Sequence, residues 1–258
     1  QISQIGPCVR LATPGADLTL LEVEYFEDNL GIKAGRIEGS CRQTMIAFHM
    51  ASREDVDEVC TRFAARGLKF LAPPKMFEWN AYAAYILDPD GNFVEVFSWQ
   101  DAGPLDVVNK SDAPRFAECL ASRPLTITSV CLFVRNLKQC LEYYSRALEM
   151  EPTRLDIEGG FANFSGTGSD FSMWDLEWTE NSIGYKSAKL ISPYQGVVIN
   201  CQVPSIDAVE SKYEELRHRE IEIISPPEVR DWGDYSVFLS DPEGNLWSIC
   251  TPNTNMKT

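Results

Sequence analysis

Asp88-Pro89-Asp90-Gly91-Asn92 recurs as Asp241-Pro242-Glu243-Gly244-Asn245, 153 positions later. The same offset lays Asp17-Leu18-Thr19-Leu20-Leu21-Glu22-Val23-Glu24-Tyr25 on Asp170-Phe171-Ser172-Met173-Trp174-Asp175-Leu176-Glu177-Trp178. It also pairs Pro73-Pro74 with Pro226-Pro227, Trp79 with Trp232 and Ser52 with Ser205. An ungapped repeat of this length reports a duplicated domain, so each position can be argued against its twin. The repeated motif itself has the chemistry of a turn. Pro89 presets φ, Gly91 takes a positive φ, and Asp88 caps the turn through its side chain.

Outward from the motif, the second copy is the plainer one. Val130, Leu132 and Val134 alternate as in a half-buried strand. Asn136 then caps a helix with Leu137, Leu141, Tyr144 and Leu148 on one face. Strands are expected around Phe161–Phe164 and Phe171–Trp178, and again over Val197–Val203. Ser205 caps a second helix carrying Val209, Tyr213 and Leu216, and three short strands close the copy. This is βαβββ written twice, an α+β pattern. The first copy matches from about Gly6, with strands near Pro7–Leu11, Leu18–Phe26 and Met45–Met50. A helix over Glu54–Arg66 follows and ends at Gly67. Its opening strand-helix-strand is missing, which by the offset needs about 27–30 further residues before Gln1. An opened sheet would expose a long unpaired edge, so a natural chain longer than this one is expected. The organisation reads as a first domain over 1–103, a linker over 104–124 with little apolar periodicity, and a second domain over 125–258.

Bulk properties narrow the partners. The 258 residues leave room for two ordinary domains. A net charge of -15 argues against nucleic acid or an anionic membrane as partner. No apolar run approaches the ~20 residues of a membrane span, and no signal-peptide pattern opens the chain. The eight cysteines form no Cys-x-x-Cys pair. They read as reduced core thiols of a cytoplasmic protein.

Paired βαβββ units ending in Asp-Pro-Asp-Gly-Asn-x-x-Glu resemble the vicinal oxygen chelate superfamily, which includes glyoxalase I, extradiol dioxygenases, and the bleomycin and fosfomycin resistance proteins. Val134-Arg135-Asn136-Leu137, followed by Leu141, Tyr143-Tyr144 and Ala147-Leu148, is similar to the family's opening signature. The resemblance implies paired βαβββ modules forming two open-barrel, glyoxalase-like domains in tandem. It also implies metal ligands at four matching places, where relatives carry His, Glu or Gln. The first copy offers an absent first position, then Glu22, Met45 and Glu95. The second offers Ser129, Asp175, Val198 and Ser248. Val198 cannot ligate and the serines are poor donors. The expectation is therefore no cofactor, with a divalent metal on Glu22 and Glu95 as the alternative.

Strand alternation then assigns faces. Leu20, Glu22 and Glu24 are expected on one concave face, Met173, Asp175 and Glu177 on the other, with Trp174 and Trp178 packing beneath helices. Met45, Ala47 and His49 share a face, as do Val198, Asn200 and Gln202, and Ser129, Cys131 and Phe133. Such linings suit a small-molecule pocket. Glu22, Glu95 and His49 are the candidate proton-transfer groups. Glu24, Met45, Trp79, Ser129, Asp175, Glu177, Gln202, Trp232 and Ser248 are the candidate ligand contacts. Trp79 and Trp232 serve either as stacking platforms at the rim or as packing residues.

Three functions compete. The first is binding of an aromatic or amphipathic small molecule, in the manner of the bleomycin-resistance branch. The second is a metal-independent lyase, isomerase or cyclase using the pocket carboxylates or His49. The third is a metal-dependent lyase or dioxygenase sited in the first domain. A monomer or a homodimer fits each.

Overall fold

The computed structural model describes residues 2–5, 8–11, 16–21, 23–30, 44–88, 91–100, 127–166, 168–183 and 197–253. The first copy contributes β1 (Ile2–Ile5), β2 (Cys8–Leu11), β3 (Leu18–Leu21), α1 (Val23–Leu30), β4 (Thr44–His49), α2 (Arg53–Ala65), β5 (Phe70–Met76), β6 (Ala81–Leu87) and β7 (Phe93–Trp99). The second contributes β8 (Ser129–Val134), α3 (Leu137–Leu148), β9 (Arg154–Asp156), β10 (Phe161–Phe164), β11 (Asp170–Asp175) and α4 (Leu176–Ile183). It continues with β12 (Val198–Gln202), α5 (Ile206–His218), β13 (Ile223–Val229), β14 (Asp234–Ser240) and β15 (Leu246–Pro252). The α+β class and the repeated βαβββ order are as expected.

Local chemistry sets the boundaries. Ser52 Oγ accepts from Asp55 N at 3.1 Å, Asn136 Oδ1 from Gln139 N at 3.0 Å, and Ser205 Oγ from Ala208 N at 3.2 Å, so α2, α3 and α5 each start on a cap. Both Asp-Pro turns are closed alike. Asp88 Oδ1 and Oδ2 accept from Asn92 N and Nδ2 at 2.8 and 2.7 Å, and Asp241 does the same for Asn245 at 2.8 and 2.7 Å. Gly91 and Gly244 take φ of 86° and 83°, so the motif is turn chemistry in both copies.

Two expected strands break early. Leu18–Phe26 ends as β3 at Leu21 and gives way to α1, and Phe171–Trp178 ends as β11 at Asp175 and gives way to α4. Asp175 Oδ1 accepts from Trp178 N at 2.9 Å, which makes Asp175 the cap of α4. Of the strand-helix-strand read as missing from the first copy, the second strand is present as β1, which pairs antiparallel with β2 as β9 does with β10, while β8 and α3 have no first-copy twin among the described residues.

The described strands form three sheets. Eight lie in the order β5-β6-β7-β4-β8-β11-β10-β9, four in the order β12-β15-β14-β13, and three in the order β1-β2-β3. The eight-stranded sheet joins the two copies, because β4 runs antiparallel to β8 with Met45 opposite Cys131 and Ala47 opposite Ser129. Helix α2 covers one half of it through Val56, Val59 and Cys60 against Tyr82, Ala84 and Val96. Helix α3 covers the other half, where Tyr144 meets Leu132, Val134 and Met173, and the same core takes in α5 and Trp247 of β15. The far face of the four-stranded sheet is covered by α1, with Phe26 and Leu30 on Phe238 and Leu246. Among the described residues no helix is long and apolar enough to cross a membrane. Cys60, Cys131, Cys140 and Cys201 are free thiols.

Candidate functional site

The face of the eight-stranded sheet opposite α2 and α3 carries the candidate site. Register aligns Tyr85, Glu95, Ala47, Ser129 and Asp170 in one row across five strands. The next row holds Phe93, Met45, Cys131 and Ser172, and the row beyond Glu95 holds Phe97 and His49. Glu95, Met45, Ser129 and His49, from the expected set, therefore share one face drawn from both copies.

That face curls on itself. From β6 to β11 a flat sheet would span roughly 19 Å. Trp79, in the turn leading into β6, nevertheless lies 5.7 Å from Trp174 of β11 and 5.2 Å from Trp178 of α4, ring centre to ring centre. Phe77 stacks on Trp79 at 4.5 Å and stands edge-on to Tyr85 at 5.3 Å, while Phe161 meets Trp174 at 4.9 Å. The open barrel thus closes on an aromatic cluster, with Trp79 as a member of it.

Below this cluster sits a polar belt. Glu95 is 6% exposed, and Tyr85 Oη donates to its Oε1 at 2.5 Å. Burial raises the Glu95 carboxyl to about 7, against the Tyr85 hydrogen bond that pulls it down. Burial, and then the Glu95 charge, raise Tyr85 well above an ordinary phenol. Cys131 Sγ lies 2.6 Å from Ser172 Oγ, and Ser129 Oγ lies 3.6 Å from that sulfur. Burial pushes the Cys131 thiol up to about 12, so it stays protonated at neutral pH. The buried Trp174 indole N–H has the Cys131 sulfur, a weak acceptor, beside it and no nitrogen or oxygen partner. His49 stacks on Phe97 at 5.0 Å, and burial lowers its pKa, which keeps the ring neutral near pH 7.

Other expected contacts lie elsewhere. Glu22 is outside the described residues. Glu24 and Glu177 are exposed in the first turns of α1 and α4 rather than on strands. Asp175 caps α4 instead of facing the site. The phase of β11 is inverted relative to expectation: Met173 opposes Leu132 and enters the helix-side core, while Ser172 and Trp174 face the concavity. Both faces of this sheet are covered, so large apolar side chains do not mark the helix side. Gln202 is exposed at the end of β12, and Ser248 is buried in the four-stranded sheet opposite Phe238. Trp232 stacks on Phe26 of α1 at 6.1 Å, a packing role. Tyr85, Ser172, Trp174 and Trp178 line this face too, though the sequence reading left out the first two and set both tryptophans to packing.

The donors around Glu95 do not suit the divalent ion that the resemblance implies. Met45 offers a thioether where imidazole is expected, Ser129 is a poor ligand, and Glu95 Oε1 is taken up by the Tyr85 hydroxyl. Among the described residues no three of His, Cys, Asp and Glu gather as a metal shell requires.

A sequence profile described as the Glyoxalase/Bleomycin resistance protein/Dioxygenase superfamily matches residues 11–96 and 126–249. Among solved structures, a glyoxalase/bleomycin resistance protein/dioxygenase from Nocardioides is 28% identical, with 53% of this chain and 88% of that chain covered and a TM-score of 0.47. A lactoylglutathione lyase from Agrobacterium tumefaciens is 17% identical, with 52% and 99% covered and a TM-score of 0.42. A glyoxalase-related enzyme from Fulvimarina pelagi is 15% identical, with 48% and 86% covered and a TM-score of 0.43. No curated protein matches the chain significantly. The chain belongs to the superfamily whose profile covers both of its copies.

Proposed function

We propose that this superfamily member binds an aromatic or amphipathic small molecule in the concavity of its eight-stranded sheet, without a resident metal. The observation that carries the reading is the pairing of an aromatic cluster with a polar belt on one face. Trp79, Trp174 and Trp178 supply stacking area, and Tyr85, Glu95 and Ser129 supply a few fixed polar contacts. Pockets that recognise small ligands have this composition. The test is a titration of the chain with N-phenyl-1-naphthylamine, a neutral amphipathic fluorophore. Saturable binding of one probe per chain, weakened at least tenfold by Trp79→Ala with Trp178→Ala, is expected. Absence of saturable binding, or binding indifferent to those changes, overturns the reading.

One observation favours a second reading, a metal-independent lyase or isomerase. Glu95 titrates at about 7, is held by Tyr85, and has neutral His49 one row away on the neighbouring strand. A carboxyl poised at the working pH suits general acid-base transfer. Recovery of the native ligand chemically unchanged after incubation with the protein would dismiss it.

A further inference from the structure

Trp174 differs from its neighbours in the aromatic cluster. Its Nε1 is buried with no nitrogen or oxygen partner, has only the weak acceptor of the Cys131 sulfur beside it, and lies on the face that carries the polar belt. A buried N–H left to a weak sulfur acceptor is under-satisfied, and nearly all such groups in folded proteins find a stronger partner. The twin position holds Leu21, so the fold does not require a polar atom there. The neighbouring acceptors do not serve it either. Ser172 Oγ is engaged with Cys131, and Glu95 Oε1 receives the Tyr85 proton.

We propose that Trp174 Nε1 is the recognition donor of the site, and that the ligand is an aromatic compound with a carbonyl oxygen placed beside Cys131. This rests on the pocket reading above. The aromatic ring takes the stacking surface of Trp79 and Trp178, and the oxygen accepts the indole proton. The protonated Cys131 next to it presents no thiolate to attack that carbonyl, so the contact holds the group rather than consuming it.

The test uses two probes of one shape, 2-acetylnaphthalene and 2-ethylnaphthalene, each competing with N-phenyl-1-naphthylamine on the whole chain. Wild-type protein is expected to prefer the acetyl probe, and Trp174→Phe, which keeps a ring and removes the N–H, is expected to reduce that preference about tenfold. An unchanged ratio overturns the assignment. If Trp174→Phe does not fold, the wild-type indole ¹⁵N–¹H resonance of Trp174 decides. It should move downfield with the acetyl probe and not with the ethyl probe, and equal shifts overturn the proposal. Displacement of the fluorophore by both probes alike would leave the pocket intact and remove only this inference. Failure of the fluorophore to bind would remove the pocket itself.

Discussion

Tyr85 Oη donates to Glu95 Oε1 at 2.5 Å, and the twins of these two residues, Phe238 and Ser248, have lost donor and acceptor together while keeping the same cross-strand register. The pair is therefore a unit that one copy carries and the other does without. Tyr85→Phe strands a buried carboxyl, and Glu95→Ser strands a buried phenol, each at about 1–3 kcal/mol. The double substitution recreates the twin pair and should cost less than the sum by about 1 kcal/mol or more. Urea unfolding of the four proteins measures this. Costs that add to within about 0.5 kcal/mol would mean that the two side chains are not coupled.

The Glu95 carboxyl also fixes a pH dependence. Its pKa rises from the ordinary 4.5 to about 7 on folding, so between those values the folded state holds more protons than the unfolded one. Stability from this group is fully present below pH 4.5 and is lost as pH rises through about 7. The loss amounts to about 3 kcal/mol. Glu95→Gln does not titrate, and its unfolding free energy should fall less than that of wild type, by about that amount, between pH 4.5 and 8. Parallel curves for the two proteins would place Glu95 in contact with water.

The fold was largely legible because its signals are local and repeated. The caps at Ser52, Asn136 and Ser205 and the two Asp-Pro turns depend on a few neighbouring residues. Met45 and His49 were legible as neighbours on one face because period-two alternation holds along β4, whereas the pairing of β4 with β8 that brings Ser129 beside them joins the two copies and leaves no local signal. The phase of β11 was not legible either, since Ala81 to Ile86 on β6 are all buried and Met173 and Trp174 are both apolar, so hydrophobicity does not separate the faces. Concerted changes between twins are a signal that the sequence did hold. Tyr85 and Glu95 become Phe238 and Ser248. Likewise Phe77, Ala72 and Ala83 become Arg230, Ser225 and Ser236, and the buried arginine donates to both new hydroxyls, at 3.0 Å from Nη2 and 3.2 Å from Nε.

Twin comparison also exposes backbone strain. Gly67 follows α2 with φ 83°, and its twin Glu220 follows α5 with φ 56°. A side chain in this left-handed region costs about 1 kcal/mol relative to glycine. Glu220→Gly should raise stability by about 0.5–1 kcal/mol, and Gly67→Ala, with nothing within 4 Å of the added Cβ, should lower it by about 1 kcal/mol. Thermal unfolding reads both. A destabilised Glu220→Gly would mean that the glutamate side chain contributes more than its strained backbone costs.

Gly160 meets the same conformational demand under a second constraint. Its φ is 67°, and an added Cβ would stand 2.5 Å from Cβ of Asp175, the residue that caps α4. Asp175 N also donates to Gly160 O at 2.6 Å, so neither backbone can withdraw without loosening the other. Gly160→Ala should therefore cost clearly more than Gly67→Ala, about 3 kcal/mol against about 1, because steric overlap adds to backbone strain. The melting temperature should fall by about 2–4 °C for each kcal/mol in a chain of this size. The change reaches the site as well, since α4 carries Trp178, whose ring stands 5.2 Å from Trp79. Near-ultraviolet circular dichroism of the tryptophans should weaken in Gly160→Ala below its melting transition and remain unaltered in Gly67→Ala. Equal spectra for the two variants would show that the α4 cap does not hold Trp178 in the cluster.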